Sequence, residues 1–185
     1  MTAGMGQSGK AFRLVSGSSM LAGCLMLTAC SAQGVSSDTA ELRNMWRANL
    51  VPKSSPALMV SAFDRFCTQG PRDDATLRAA GYVPLPERSP GARAYVIDDR
   101  RPAVAVSDRM CVVQAESRTG QTARFQNYVA ATYPGARPID PAPLGRSIEQ
   151  AWSLPTDPPS LIATERTVSL GWYRYALIFF RPEAT

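Results

Sequence analysis

The sequence predicts an α+β domain: an antiparallel sheet of about five strands with two to three helices packed on one face. Three observations predict it. Apolar stripes of helical period and short β-rich runs come in groups, ordered helix, helix, three strands, helix, two strands, without strict alternation. Tight polar turns separate the first three strand runs, as in a meander. Cys67 falls on the apolar stripe of a helix and Cys111 in a strand with Val113 on its own face. Both therefore point into one core.

The elements follow in order. Thr39 caps a short helix through Asn49, with Leu42, Met45, Trp46 and Leu50 on one face, and Pro52 ends it. Ser55-Pro56 is a helix start, Ser as N-cap and Pro at the first helical position. The helix should run from Pro56 to Thr68, with Met59, Val60, Phe63, Phe66 and Cys67 as its stripe. Gly70-Pro71 breaks it. Asp73 or Asp74 then caps a second short helix, Ala75 to Ala80, stopped by Gly81. Tyr82 to Gly91 is Pro-rich and extended. Strands are expected at Tyr95–Ile97, Pro102–Ser107 and Met110–Ala115, with turns at Asp98–Arg101 and Asp108-Arg109. Val104 and Val106 alternate, as do Cys111 and Val113, so one face is buried. Thr119 caps the longest helix of the domain, to Tyr133, striped by Phe125, Tyr128, Val129 and Thr132. Ala136 to Pro159 is again Pro-rich, and its Ile148 and Trp152 either form a strand or cover the core. Leu161–Leu170 and Trp172–Phe180 read as a hairpin with Gly171 near the turn. The apolar run Tyr175–Phe180 marks a central strand with both faces covered.

The first twenty-nine residues stand apart from this domain. Lys10 and Arg13 are the only charges in the first thirty positions, and Leu14–Ala29 is an uncharged, mostly apolar run. A positive segment, an apolar segment and small residues before a break describe a secretory signal peptide. The run is too short and too rich in Ser and Gly for a membrane span of about 20 residues. Its end, Leu27-Thr28-Ala29-Cys30, resembles the lipobox of bacterial lipoproteins. That resemblance implies a diacylglycerol on Cys30, cleavage just before it, and acylation of the new amine. Leu21-Ala22-Gly23-Cys24 fits the same pattern but leaves an apolar segment of only Leu14–Leu21, interrupted by Ser and Gly, so Cys30 is favoured. The expected organisation is a signal peptide over 1–29, a lipidated tether over 30–39 and one domain over 40–185. Ser31, not Asp, follows the Cys. By resemblance to enterobacterial lipoproteins this implies sorting to the periplasmic side of the outer membrane.

Composition excludes several functions. The expected mature chain carries eighteen basic and fifteen acidic residues, a formal charge of +3. A balance this mild serves solubility and does not point to nucleic acid. There is no His, which removes the commonest general base and transition-metal ligand, along with Ser-His-Asp and Cys-His catalysis. Cleavage and lipidation leave two cysteines. A pair in an exported chain reads as a disulfide, Cys67–Cys111.

No nucleotide-binding or hydrolase motif appears in the mature part, and no cofactor or metal is expected. Asp73-Asp74 and Asp98-Asp99 read as caps and turns, and Arg100-Arg101 as a solvated turn. The cluster Trp172, Tyr173 and Tyr175 reads as hairpin packing in preference to a glycan platform. Phe63-x-x-Phe66-Cys67, Gly81-Tyr82 and Met110-Cys111-Val112 resemble a group of small uncharacterised proteobacterial envelope lipoproteins, across about the middle third of the chain. The resemblance carries over no catalytic residue. The expected function is a non-catalytic binding or assembly accessory, lipid-anchored in the envelope beside a protein partner. A periplasmic inhibitor or protective protein is the alternative, and a His-free hydrolase a more distant one.

Overall fold

Eight strands pair in the order β1-β2-β3-β4-β8-β7-β6-β5, every neighbour antiparallel. In this computed structural model they are β1 (Val83–Pro84), β2 (Arg93–Val96), β3 (Ala103–Val106), β4 (Met110–Ser117), β5 (Arg137–Ile139), β6 (Ile148–Ser153), β7 (Leu161–Ser169) and β8 (Trp172–Phe180). The helices are α1 (Ser37–Arg47), α2 (Pro56–Phe63), α3 (Asp74–Ala79) and α4 (Thr122–Thr132). The structure describes residues 37–47, 51–87, 90–98, 100–117, 120–169 and 171–181. The class is α+β with one antiparallel sheet, as expected, but the described residues form eight strands in place of about five and four α-helices in place of two to three.

Two four-stranded meanders, β1–β4 and β5–β8, fuse where β4 pairs with β8 along its whole length, from Met110↔Phe180 to Ser117↔Tyr173. The two unforeseen strands, β1 and β5, have a common cause. β1 and β5 each contain a Pro and lie at the two sheet edges, where a missing N–H breaks no ladder. The Ile148–Trp152 segment resolves as strand, its register shifting between Ile148 and Gln150. β8 is central, between β4 and β7. One of its faces is sealed by Tyr175, Leu177 and Phe179, whereas Ile178 and Phe180 on the other are half-buried.

The main core lies between the sheet and α2, α3 and α4. Met59 and Phe63 of α2, Leu77 of α3, and Phe125 and Val129 of α4 meet Val104, Cys111, Val113, Ile162, Tyr175 and Leu177. Each of these large side chains contributes on the order of 1.5–3 kcal/mol by leaving water. The ends of the helices follow local chemistry. Ser55 Oγ accepts from Leu58 N–H at 3.3 Å, with Pro56 in the first turn. Asp73 caps α3 by accepting from Thr76 N–H at 2.6 Å. Gly81, at φ +88°, supplies the left-handed residue after it. Gln121, not Thr119, is the N-cap of α4, and Thr119 lies outside the described residues.

Two expectations need correction. The helix from Pro56 to Thr68 changes hydrogen-bond pattern at Asp64: residues Asp64–Thr68 form a π-helical turn, closed by Gln69 N–H to Asp64 C=O at 2.9 Å. The wider turn lets both Phe66 and Cys67 stay in the core. The helices also do not share one face. Leu42 of α1 packs on the opposite side of the sheet, against a small cluster of Leu85, Val96 and Ala103. After α1, Pro52 and Ser54 bond the backbone of Glu116. The expected side chains Met45, Trp46 and Leu50, and Cys30 itself, lie outside what is described.

Cys67 and Cys111 form a disulfide, their Cα atoms 5.3 Å apart. It ties the π-helical turn to β4 at the centre of the core, as both positions implied.

Candidate ligand cleft

The end of the sheet where β7 begins and β8 finishes carries a cleft of about 750 Å³. Three walls form it. The π-helical turn supplies Thr68. The end of α4 supplies Thr132, Tyr133, Pro134 and Gly135. The β6–β7 connection supplies Leu154 to Pro158 and Ser160, and Phe179 and Arg181 complete it from β8.

Local chemistry holds each wall. Pro134-Gly135 stops α4, and the chain then passes close beneath the β6–β7 connection. A Cβ on Gly135 would lie 2.9 Å from Pro155 Cγ, so the position has room only for Gly. Gly70, just after the π-helical turn, is tighter still: a Cβ there would lie 2.2 Å from Arg65 O. The β6–β7 connection is folded on itself. Thr156 Oγ1 donates to Pro158 O at 2.9 Å and accepts from Ser160 N–H at 2.7 Å, while Leu154 N–H donates to Ser160 O at 2.8 Å. Its polar groups are thus spent on the loop itself, and Leu154, Phe179 and the prolines face the space.

Two features lie behind the cleft. Tyr128 donates to the Asp64 carboxylate, and its hydroxyl is 3.5 Å from that of Tyr133. Burial and the bond to Asp64 push the Tyr128 pKa well above the usual phenol value. The second feature is a pair of guanidinium groups about Phe179, Arg72 at 4.7 Å and Arg181 at 5.6 Å from the ring centroid. Arg72 donates through Nε and Nη2 to Cys67 C=O, at 3.0 and 2.7 Å, and so caps the π-helical turn. Burial, then the charge of Arg181, lowers its pKa from the ordinary Arg value. Arg181 is exposed at the mouth, with Asp157 across the rim. The chemistry available is an apolar floor between one cation and one anion. Among the described residues no three His, Cys, Asp or Glu side chains converge as metal ligands would.

The residues singled out from sequence are placed as follows. Asp73 is a helix cap. Asp74 accepts from Tyr95 Oη at 2.9 Å and pairs with Arg78 and, at 3.5 Å, Arg93. Asp98 accepts from Arg100 and Arg101 N–H and pairs with the Arg101 guanidinium at 3.0 Å, which makes the stretch a turn. Trp172, Tyr173 and Tyr175 form no single platform. Alternation puts Trp172 on the opposite face from the other two, and Tyr175 is buried edge-on to Phe125 at 6.3 Å. Arg72, Phe179 and Arg181 were not singled out from sequence. Gly70-Pro71-Arg72, a helix stop followed by a long donor, was the available signal for the first.

Compared with known protein families, curated proteins and solved structures, the chain matches none at a significant level.

Proposed function

We propose that this chain is a lipoprotein anchored through Cys30 on the periplasmic side of the outer membrane. There it serves as a non-catalytic binding or assembly accessory of the envelope, and the cleft is the element that receives its partner. One observation carries the reading. The cleft is large, its floor is apolar, and the Thr68 and Thr156 hydroxyls in its walls are already tied to backbone carbonyls, which favours holding a ligand over reacting with one. The missing His and missing catalytic motifs support the same reading. The test is site-specific photo-crosslinking in cells from Thr132, an exposed position on the cleft wall. One defined envelope partner should be captured, and the Arg181→Glu variant should lose it. Equal capture from exposed Arg100, far from the cleft, would overturn the assignment. So would turnover of a glycan, ester or peptide by the pure protein that one acidic-residue substitution abolishes.

A further inference from the structure

Among the described residues that line the cleft, Arg181 is the one cation and Asp157 the one anion, and both are exposed at its mouth. None of the ion pairs among the described residues includes Arg181 or Arg72. Both guanidiniums nevertheless lie against the same ring, that of Phe179, with Arg181 at 5.6 Å and Arg72 at 4.7 Å from its centroid. Two like charges thus share one ring while neither is paired to a carboxylate. Burial, then the charge of Arg181, lowers the Arg72 pKa, the mark of a positive site left uncompensated. An anion seated at Arg181 relieves that repulsion. Arg72 cannot turn to meet it, because its Nε and Nη2 both hold Cys67 C=O. Arg72 therefore adds positive field behind Phe179, and Arg181, exposed to solvent, makes the contact.

The surface beside these cations is apolar. Leu154, Pro155 and Phe179 line it, and the Thr68 and Thr156 hydroxyls are spent on backbone carbonyls. A volume of about 750 Å³ falls within the ~300–1,000 Å³ typical of ligand sites and has room for the end of a peptide. Charge and apolar surface are adjacent here, since Phe179 belongs to both. At a chain terminus the α-carboxylate and an apolar side chain branch from one Cα, so a single residue fills both subsites. An internal Asp or Glu instead spends its own side chain on the charge. Asp157, on the far rim, disfavours a segment carrying further acidic groups.

We propose that the cleft takes the C-terminus of a partner chain, with the terminal α-carboxylate on the Arg181 guanidinium and an apolar last side chain against Phe179 and Leu154. The proposal rests on the reading of the cleft as a partner's docking site, and it names what that partner presents. Arg181 is the specificity-determining residue, because its fork of donors matches a carboxylate. The apolar lining supplies affinity without choosing a sequence beyond the last residue or two.

The test measures fluorescence anisotropy of a labelled five-residue peptide ending in Leu-Phe, as the free acid and as the C-terminal amide, with the purified full chain. The acid should bind about tenfold more tightly than the amide, and than a free acid ending in Ser-Ser. Its advantage should shrink at high salt, because Arg181 is exposed. Arg181→Gln should reduce the acid to the level of the amide. Arg100→Gln, the same charge change at the opposite end of β3, should bind as the unsubstituted chain does. Equal binding of acid and amide overturns the proposal, and this comparison needs no variant. So do absence of peptide binding, an acid preference that survives Arg181→Gln, and dodecanoate binding more tightly than the acid peptide, which would assign the cleft to a lipid. Capture of one defined partner from Thr132 while acid and amide bind alike removes the terminus and leaves the docking reading standing. An Arg181-dependent acid preference with no partner captured keeps the ligand class and removes the accessory reading.

Discussion

Replacing both Cys67 and Cys111 by Ala opens a loop that the native bond closes across a sequence separation of 44. In the chain-entropy model a loop of this length stabilises the folded state by about 4 kcal/mol relative to the unlinked chain. The two sulfurs are also buried, Cys67 at 1% and Cys111 at 0% exposure, so truncation costs some packing as well. Three urea titrations separate these effects: oxidised wild type, reduced wild type and the double variant. The step from oxidised to reduced measures the cross-link, and the step from reduced to double variant measures the packing. For a slope of about 2 kcal/mol/M the cross-link step should lower the midpoint by roughly 2 M. A loss of that size is a large part of a typical margin of about 5–15 kcal/mol, so the variant should remain folded near neutral pH but unfold early. Coincident midpoints for the oxidised and reduced chains would refute the reasoning. Two thiols that alkylate in the unfolded, unreduced chain would do so more directly.

Three further outcomes are expected. Phe125→Ala should cost about 3–5 kcal/mol in the same titration, because Phe125 is fully buried between α4 and Tyr175. Stability should fall in alkali: burial pushes Tyr82 up to about 12 and raises Tyr128, while both phenols titrate near 10 in the unfolded chain. The contribution of neutral Tyr82 is thus fully present below about pH 10 and lost as pH rises through about 12, that of Tyr128 begins to fall over the same range, and urea midpoints against pH should show Tyr82→Phe losing part of that slope. Cys30→Ser should abolish acylation and cleavage at that site, and a mature N-terminus found elsewhere by mass spectrometry would exclude the assignment.

Where periodicity and punctuation agreed, the sequence was informative. The Ser55-Pro56 start, the Asp73 cap and the Gly81 stop all stand in the structure, because each depends on contacts within a few residues. The alternation of Val104 with Val106 and of Cys111 with Val113 marked the buried face correctly, which is why the disulfide could be anticipated. The edge strands were hidden by their prolines, since Val83-Pro84 and Arg137-Pro138-Ile139 owe their conformation to pairing with the strand that follows each of them. The π-helical turn at Asp64 was equally illegible, because the same stripe of Phe63, Phe66 and Cys67 suits an α-helix until the core requires the extra residue. The cleft was the least readable part. Its lining joins Thr68, Tyr133, Leu154 and Phe179, which meet only once the two meanders are fused.

The place of β8 has a consequence for the order in which the molecule can be made. Of the described strands, the eighth is synthesised after the other seven and joins the halves of the sheet: until it arrives, β4 lacks a neighbour on that side and β7 is left as an open edge. Cys67 and Cys111 both precede it, so their bond can form while the first meander is still one-sided, yet Phe179, the cross-strand partner of Cys111, is among the final residues described. Pairing across so long a separation is slow, because the loop must close before any contact rewards it. The nascent protein therefore spends its synthesis with an apolar edge uncovered, and loss of even the last few residues of β8 removes the seam of the whole sheet rather than trimming a tail.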